Sequence, residues 1–466
     1  MRITLDHPYS GREIAALCGG CPPKTEGFAR ALTTDSREVR PGDLFVALRG
    51  EQTDGHRYLT AAAENGAALI LCERMLTPPR CAVTVRDTWD ALSAMAHAAR
   101  RRTAPRTVAI TGSVGKTTTK EITAAVLSTR FRTHKTAGNF NNRLGVCLTL
   151  LSMPQDTEVL VTELGMNHPG EIAALSALTE PNAAIITNVG TAHIGYLGSR
   201  CAIAGAKLEI LTGCAPGAPY LFPADEKLLL PPKDITAIPF PLAVEATGDP
   251  SVTGIVCRND QTIFDYAFRG TRLHALALPG VGRHLAVCAG FAVTMGALYG
   301  LSEEEIRRGL RAAEAAKMRQ DVRQIGGVTV IADCYNASPE SMRAACAVLE
   351  TMAKEKGGRR VALLGDMMEL GAETRTLHEE TGAFFARAGI DALFTFGAAA
   401  LGYATGAARA GLPLTCIHEN PDPSAPNESA RALAAYLRPG DVLLVKASRV
   451  LAAERIVSAL ENEIVN

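Results

Sequence analysis

The sequence has no excess of charge of either sign, because 48 lysines and arginines balance 48 aspartates and glutamates. A strongly basic chain would attract nucleic acid or an anionic membrane through its long-range field, and this chain has no such field. It also lacks any apolar run close to the roughly 20 residues that a transmembrane helix requires. We therefore expect no nucleic-acid partner, no membrane insertion, and local sites for any anion that is bound.

The N-terminal segment lacks the basic and apolar stretches of a secretory signal, so we expect a cytoplasmic protein. Twelve cysteines are scattered along the chain and are expected to be reduced thiols. One C-x-x-C pair occurs, Cys18 and Cys21, without the second pair that a zinc site needs. We interpret it as two incidental thiols at a helix end marked by glycines.

The length of 466 residues suggests about three domains, each large enough to bury a core. The predicted limits are 1–102, 103–318 and 319–466. In the first domain, Asp43–Leu48 is typical of a strand and Tyr58–Asn65 of a helix, which predicts an α/β fold. Arg100–Arg102 is interpreted as the solvated end of a helix before a linker.

Strands alternate with helical stretches in the second domain, as at Thr107–Ile110, Glu158–Thr162 and Ala183–Thr187. This alternation predicts a parallel sheet covered on both faces. Between Ser251 and Leu278, short strands with a turn at Asn259–Asp260 indicate an antiparallel addition.

The third domain repeats the βαβ pattern, which predicts an open, doubly wound, Rossmann-like sheet. Its predicted strands are Val328–Ala332, Val361–Leu364, Asp391–Phe396 and Val442–Val445. Ser338, which precedes Pro339, is predicted to cap a helix, and Ser302 with Glu305 forms a capping-box pattern just before this domain.

A phosphate-binding loop is predicted where strand Thr107–Ile110 leads into a helix. Its residues are Gly112, Ser113, Val114, Gly115, Lys116, Thr117 and Thr118. Glycines allow successive N–H groups to face a phosphate, and the helix N-terminus adds its positive dipole end. Lys116 would reach the β- and γ-phosphates, and the Thr117 hydroxyl would ligate Mg²⁺. The usual pattern has glycine where this chain has Ile110. The loop predicts a nucleotide and no particular reaction.

Three further side chains are candidates for chemistry. Glu163 and His193 follow predicted strands, where open α/β sheets place ligand-binding groups, and Lys207 lies in a predicted helix, Ala202–Leu211. A buried structural glutamate, a core histidine and a surface lysine are the alternative interpretations. For His193 and Lys207 the residues alone favour these alternatives.

Several segments, in this order, resemble the Mur ligase family over essentially the whole chain. They are the loop Thr111–Thr118, Thr136–Gly145, Glu163–Asn167, Gly170–Ile172, Thr187–His193, Ala206–Glu209, Asp333–Asn336, Leu364–Gly371 and Val445–Arg449. They are most similar to the members that add D-alanyl-D-alanine to UDP-N-acetylmuramoyl-tripeptide. The resemblance implies an ATP-dependent amide ligase of peptidoglycan precursor synthesis, and so of cell-wall growth, shape and division. It also implies an acyl-phosphate intermediate and a monomer.

The resemblance also implies roles for individual residues. Two Mg²⁺ ions would be held by Thr117, Glu163, His193 and a carbamylated Lys207, with Lys116, Glu163, His193 and Lys207 as the catalytic set. Ser36 and Arg37 would hold uracil and diphosphate. Arg319 and Asp333 would contact ATP. The muramoyl-peptide and the incoming dipeptide would be contacted by Asn139, Asn141, Asn142, Ser199, Asn336, Lys446 and Arg449.

Three alternatives stay open. A Mur ligase that adds lysine or diaminopimelate to the dipeptide precursor is disfavoured by segments Gly170–Ile172 and Met367–Gly371. A regulatory P-loop NTPase is disfavoured by Thr34–Gly50, which resembles the family's UDP-sugar domain. Folylpolyglutamate synthase, a related ligase, should lack the first domain.

One segment departs from the family. Gly282–Ala289 resembles a stretch usually written G-x-H-N-x-x-N-A, whose asparagine amides approach the adenine base. Here Leu285 and Cys288 occupy the asparagine positions. Neither supplies the paired donor and acceptor of an amide, so the sequence predicts weak purine discrimination.

Overall fold

The computed structural model describes residues 1–232, 235–258, 260–314 and 318–465. Its chain forms consecutive α/β domains, each built on its own sheet. Within the described residues, no helix is long and apolar enough to cross a membrane.

The N-terminal domain has the strand order β1-β2-β3-β4-β5, in which β1 is antiparallel to β2 and the other neighbours are parallel. The strands are β1 (Arg2–Ser10), β2 (Phe28–Thr33), β3 (Asp43–Val46), β4 (Leu69–Glu73) and β5 (Ala82–Val85). The helices are α1 (Gly11–Cys18), α2 (Leu59–Glu64) and α3 (Thr88–Thr103). Gly19 ends α1 in the left-handed conformation, and Cys18 and Cys21 are free thiols.

Helix α3 corrects the sequence interpretation of Arg100–Arg102. The helix continues to Thr103, and Arg100 is buried rather than solvated. Its Nε and Nη2 donate to the carbonyls of Thr179 (2.8 Å) and Glu180 (3.1 Å) in the central domain. The run of arginines therefore joins two domains, because a guanidinium can satisfy carbonyls that a helix end leaves free.

The central domain has the strand order β14-β13-β12-β11-β10-β9-β6-β8-β7. Its strands are β6 (Arg106–Thr111), β7 (Thr133–Lys135), β8 (Val159–Glu163), β9 (Ala183–Ile186), β10 (Pro219–Pro223), β11 (Ile238–Val244), β12 (Ser251–Arg258), β13 (Gln261–Phe268) and β14 (Thr271–Pro279). Its helices are α4 (Lys116–Leu127), α5 (Arg143–Leu151), α6 (Glu171–Thr179), α7 (Ile194–Leu197), α8 (Arg200–Leu208), α9 (Arg283–Leu298) and α10 (Glu303–Arg311).

The pairing in the central sheet follows the predicted pattern. All neighbours from β7 through β8, β6, β9, β10 and β11 to β12 pair in parallel. Strands β12, β13 and β14 pair antiparallel, which confirms the predicted addition. Asn259, in the predicted turn of that addition, lies outside the described residues. The capping box of Ser302 and Glu305 at α10 is confirmed.

The C-terminal domain has the strand order β15-β16-β20-β17-β18-β19, with all neighbours parallel except β15. The strands are β15 (Asp321–Ile325), β16 (Val328–Asp333), β17 (Arg360–Gly365), β18 (Ala392–Phe396), β19 (Ile417–Asn420) and β20 (Val442–Lys446). The helices are α11 (Pro339–Lys356), α12 (Thr374–Arg387), α13 (Leu401–Arg409), α14 (Pro426–Tyr436) and α15 (Glu454–Val465). Ser338 caps α11, as predicted.

The predicted domain limits stay a prediction. The first, at residue 102, falls one residue before the end of α3, and the second, at 318, lies between α10 and β15.

Candidate active site

The phosphate loop joins β6 to α4 beside β8 and β9, at the carboxyl edge of the parallel sheet. Gly112 has a φ of +149°, and a Cβ there would lie 1.9 Å from Oγ1 of Thr187. Gly115 has a φ of +82°. Both positions therefore require glycine, because a side chain would clash or be strained.

The N-terminus of α4 is open to an anion. It has no side-chain cap, so the N–H groups of its first turn have no partner within the helix. In the loop, Oδ1 of Asn188 accepts from the N–H groups of Ser113 (3.1 Å) and Val114 (3.0 Å). Asn188, to which the sequence analysis gave no role of its own, thus shapes the loop from the end of β9.

Two positively charged side chains, Lys116 and Arg319, lie at the loop. Nζ of Lys116 donates to the carbonyls of Gly112 (2.8 Å) and Ser113 (3.2 Å). Burial lowers the pKa of the Lys116 ammonium; Glu163 opposes this shift and Arg319 adds to it. Nη2 of Arg319 donates to Oγ1 of Thr117 (3.2 Å). A polyphosphate at the α4 N-terminus would therefore meet positive charge from two domains.

Glu163 is the last residue of β8 and is buried. Its Oε1 accepts from Nδ2 of Asn141 (2.8 Å), whereas its Oε2 is buried without a hydrogen-bond partner. A buried carboxylate oxygen without a partner is costly, and an Mg²⁺ ion would relieve that cost. Within the described residues, however, no group of three His, Cys, Asp or Glu side chains is arranged to hold a metal.

His193 precedes α7 and contacts the C-terminal domain. Its Nδ1 lies 2.6 Å from Oε2 of Glu369, an ion-pair distance at an angle that departs from a regular hydrogen bond. Interaction with His193 holds the pKa of the Glu369 carboxyl below its ordinary value. The N–H of Gly195 donates to the Glu369 carbonyl (3.1 Å), and the N–H and hydroxyl of Thr191 donate to Oε1 of Glu340 (2.8 and 3.1 Å).

Lys207 lies in α8 and is 1% exposed. The structure ends this α-helix at Leu208 and continues it as a 3₁₀ turn, Glu209–Leu211, whereas the sequence predicted one helix from Ala202. Burial, together with the charge of Lys116, holds the pKa of the Lys207 amine well below its ordinary value. No hydrogen bond or ion pair to its Nζ is found in the described part of the chain. Lys207 is therefore not the surface lysine that its residue type favoured.

The C-terminal domain contributes a buried ion pair. Nζ of Lys446 donates to Oδ2 of Asp333 (2.7 Å) and to the carbonyl of Asn336 (2.9 Å). Arg449 instead lies half-exposed at the surface and pairs with Glu454.

The three predicted asparagines lie in the loop between β7 and α5. Asn139 lies beside Tyr335 of the C-terminal domain, and Nδ2 of Asn141 donates to Glu163. Oδ1 of Asn142 accepts from the N–H of Gly145 (2.9 Å) and so caps α5. Ser199 caps α8 in the same way, through the N–H of Ala202 (3.1 Å).

A cleft of about 1370 Å³ between the central and C-terminal domains brings many predicted residues together. Those that line it are Ser113, Val114, Gly115, Lys116, Thr118, Asn141, Asn142, Glu163, His193, Arg319, Asp333, Asn336 and Lys446. Those that do not are Gly112, Thr117, Asn139, Ser199, Lys207, Arg449, Ser36 and Arg37. Thr117 and Asn139 nevertheless contact lining residues, namely Arg319 and Tyr335.

Ser36 and Arg37 lie on a short 3₁₀ helix of the N-terminal domain, capped by Asp35. Ser36 is buried, and Arg37 is exposed and paired with Asp35 (2.6 Å). Arg37 lines a separate surface pocket together with Arg2 and Arg40. This group of arginines suits a diphosphate.

Comparison with known proteins gives the family. Family models match as "Mur ligase family, catalytic domain" over residues 29–103, "Mur ligase middle domain" over 110–286 and "Mur ligase, glutamate ligase domain" over 318–449. A relative from Bacillus subtilis (strain 168), named UDP-N-acetylmuramoyl-tripeptide--D-alanyl-D-alanine ligase, is 36% identical over 459 residues, covering 96% of this chain and 97% of the relative. The chain belongs to the Mur ligase family.

Solved structures resemble this Mur ligase over its whole length. A crystal structure of MurF from Acinetobacter baumannii superposes with a TM-score of 0.88 at 30% identity and covers 99% of this chain and 100% of that one. MurF ligase from Thermotoga maritima in complex with ADP superposes with a TM-score of 0.82 at 28% identity, over 93% of this chain and 97% of that one. The predicted three-domain α/β fold is confirmed.

The segment that departs from the family pattern lies at the start of α9. Sγ of Cys288 lies 4.0 Å from the carbonyl oxygen of Gly115, and burial raises the pKa of this thiol to about 11. Leu285 lines the same cleft. His284, which matches the family pattern, is partly buried, and desolvation lowers its pKa to about 4. Its Nε2 lies 3.1 Å from Nε2 of Gln320.

Proposed function

We propose that this Mur ligase adds D-alanyl-D-alanine to UDP-N-acetylmuramoyl-tripeptide and converts ATP to ADP and phosphate. The name of the relative that matches over nearly the full length of both chains supports this substrate pair. One structural observation carries the chemistry: the open α4 N-terminus, Lys116 and the unpartnered oxygen of Glu163 meet in one interdomain cleft. A triphosphate and a carboxylate acceptor both need such a site.

The reaction proposed for this cleft follows from the poor reactivity of a carboxylate. A carboxylate oxygen of the tripeptide attacks the γ-phosphorus, the bond to the β-phosphate oxygen breaks, and ADP leaves an acyl phosphate. The dipeptide amine then attacks the carbonyl carbon, losing a proton as the amide forms and inorganic phosphate departs. Lys116 and Arg319 balance charge on the transferring group, which is the main requirement of phosphoryl transfer.

Mg²⁺ fits this site, because Oε2 of Glu163 is buried without a partner and the Thr117 hydroxyl lies at the start of α4. Thr117, Glu163 and His193 would hold it, and bound Mg²⁺ would neutralise phosphate charge. Asn141 orients Glu163 through its Oε1, which leaves the second oxygen for the ion.

Lys207 is proposed to be carbamylated. Lys207 is buried, and its lowered pKa favours the unprotonated amine, which is a nucleophile towards carbon dioxide. The nitrogen would bond to the carbon of carbon dioxide and release a proton, which leaves a carbamate anion. The carbamate would add a carboxylate-like ligand to the metal set and would offset the charge of nearby Lys116.

The remaining substrate contacts are proposed by position. Ser36 and Arg37 would hold the uridine diphosphate end beside Arg2 and Arg40. The muramoyl-peptide would run along the loop that carries Asn139, Asn141 and Asn142, near Ser199. Asp333 and Arg319 would face ATP, while Asn336, Lys446 and Arg449 would close the site around phosphates and dipeptide. A monomer is proposed, as the family resemblance implies.

The decisive experiment incubates the protein with ATP, Mg²⁺, UDP-N-acetylmuramoyl-tripeptide and D-alanyl-D-alanine, and identifies the products by mass spectrometry. We expect the muramoyl-pentapeptide, ADP and phosphate in equal amounts, and no product when the dipeptide is omitted. Lys116→Ala should abolish product formation while leaving the thermal unfolding transition in place.

Parallel reactions test the alternatives. The muramoyl-dipeptide with lysine or with diaminopimelate would give product if this were a different Mur ligase. ATP hydrolysis that proceeds equally without any amine would indicate a regulatory NTPase. Either result would replace the proposed function.

A further inference from the structure

Lys120 lies one turn after Lys116 in α4, and its side chain is completely buried. Its Nζ donates to the carbonyls of Thr136 (2.8 Å) and Gly138 (3.0 Å) and pairs with Oε1 of Glu121 (2.9 Å). An ammonium group has three protons, so all of its hydrogen-bonding capacity is used. None of these contacts involves the phosphate loop or a predicted substrate.

The two carbonyls belong to residues 136–142, the segment that joins β7 to α5 and is called here the asparagine loop. Glu121 contacts Lys135, the last residue of β7, at the start of this loop. Lys120 therefore contacts the loop itself at Thr136 and Gly138, whereas the pair of Glu121 and Lys135 lies before it on β7. Later in the loop, Asn141 holds Glu163 and its carbonyl accepts from the N–H of Gly165 (2.8 Å).

We propose that Lys120 is a positioning residue that fixes the asparagine loop on the helix that binds the phosphates. Both acceptors of the Lys120 hydrogen bonds are backbone carbonyl oxygens. The contact therefore fixes the path of the loop backbone, whichever side chains the loop carries. The first turn of α4 would bind ATP. Its second turn, through Lys120, would fix the positions of Asn139, Asn141 and Asn142. The part of this inference that concerns the muramoyl-peptide rests on the proposed function.

The test compares Lys120→Met with Lys135→Met. Methionine keeps the length and volume of the buried side chain and removes the three donors. Lys135 is the matched control, because it pairs with the same Glu121, is 47% exposed, and donates to neither loop carbonyl. Both variants are first checked for an unchanged circular dichroism spectrum.

Hydrogen–deuterium exchange gives a readout that is independent of activity. In Lys120→Met we expect the amides of residues 136–142 to exchange about tenfold faster, with the rest of the central domain unchanged, because the opening is local. Lys135→Met should leave these amides unchanged. Exchange that rises evenly over the whole domain, or that does not change at all, would overturn the proposal.

Kinetics supply the second readout. In Lys120→Met the KM for UDP-N-acetylmuramoyl-tripeptide should rise about tenfold, while the KM for ATP changes by less than about twofold. The reason is that the displaced loop would contact the muramoyl-peptide and not the nucleotide. An equal rise in both constants would indicate a merely structural lysine and would overturn the proposal. If the wild-type protein forms no amide from these substrates, the proposed function fails, and the exchange comparison still decides the role of Lys120.

Discussion

Lys207 combines burial, a lowered pKa and an unbonded amine in a helix beside the phosphate loop. If it carries a carbamate, Lys207→Ala should lose amide-forming activity by about a hundredfold or more, because it removes a ligand of the Mg²⁺ that would stabilise the transferring charge. Acetate or formate should restore part of the activity by replacing the missing anion. Full activity of the alanine variant would contradict this role.

The same amine has a consequence for stability. Unfolding returns Lys207 to its ordinary pKa of about 10.4, so between the lowered folded pKa and that value the unfolded chain binds an extra proton. Unfolding is favoured in that window. In buffer free of carbon dioxide and Mg²⁺, Lys207→Met should therefore raise the free energy of unfolding within that window.

The sign of this effect can be tested by titration. The advantage of Lys207→Met should shrink as the pH rises towards about 10.4, since the unfolded amine then loses its proton too. Urea unfolding at several pH values measures it. An advantage that grows with pH would contradict a lowered pKa of Lys207 in the folded state.

Cys288 and Leu285 bear on the choice of nucleotide. A thiol whose pKa is raised to about 11 is a weak donor, and leucine has no polar group to face a base. We expect kcat/KM for ATP to exceed that for ITP by less than about a hundredfold, or 2.7 kcal/mol. Cys288→Asn and Leu285→Asn should widen the ratio about fivefold, for one hydrogen bond worth about 1 kcal/mol. A wild-type preference above a hundredfold would show that another residue reads the purine.

At the scale of elements, α3 links the N-terminal and central domains through its last turn. Arg100 bonds two carbonyls at the end of α6, and Arg101 pairs with the Glu180 side chain at the surface (2.8 Å). Arg100→Met should lower the free energy of unfolding by about 1.5–3 kcal/mol, because it leaves buried carbonyls without donors. Arg101→Met, the matched control, should cost less than about 1 kcal/mol, as exposed ion pairs do.

Trp89 makes this comparison direct, since it is the only tryptophan in the sequence and lies in α3. Urea unfolding followed by its fluorescence reports the domain that the arginine attaches. Equal midpoints for the two variants would contradict the role given to Arg100.

The sequence predicted those features that depend on neighbouring residues. The phosphate loop follows from a strand, glycines and a helix within a dozen residues, and the caps at Ser302 and Ser338 follow from three-residue spacings. The interpretation of Arg100 as solvated was wrong, because the burial of this arginine depends on a second domain that covers it. Glu340 and Glu369 were given no role, since their partners lie about 150 residues away or more in the chain and nothing local marks the contact.

At the scale of the whole molecule, residues 190–195 are held by carboxylates of the C-terminal domain. Glu340 accepts two hydrogen bonds from Thr191, while its Oε2 stays buried without a partner. Glu340→Ala should weaken closure of the C-terminal domain onto the central domain. It should lower kcat/KM for ATP about fivefold, which corresponds to the loss of about 1 kcal/mol of hydrogen-bond free energy.

Small-angle scattering should show a larger radius of gyration for Glu340→Ala than for the wild type. Glu350→Ala is the matched control, because Glu350 lies exposed on the same helix, α11. If both variants have the radius of gyration and the kcat/KM of the wild type, residues 190–195 do not govern closure of the two domains.

The contact between His193 and Glu369 has a consequence for the proposed metal site. Because Nδ1 faces a carboxylate of another domain, the nitrogen left for a metal would be Nε2, and Glu369 would help to orient it. The central domain on its own would possess the phosphate loop, Glu163 and His193, but not the Glu369 carboxylate that His193 faces. If the proposed metal site and acyl phosphate are correct, docking of the C-terminal domain would both orient His193 and shield the acyl phosphate from water.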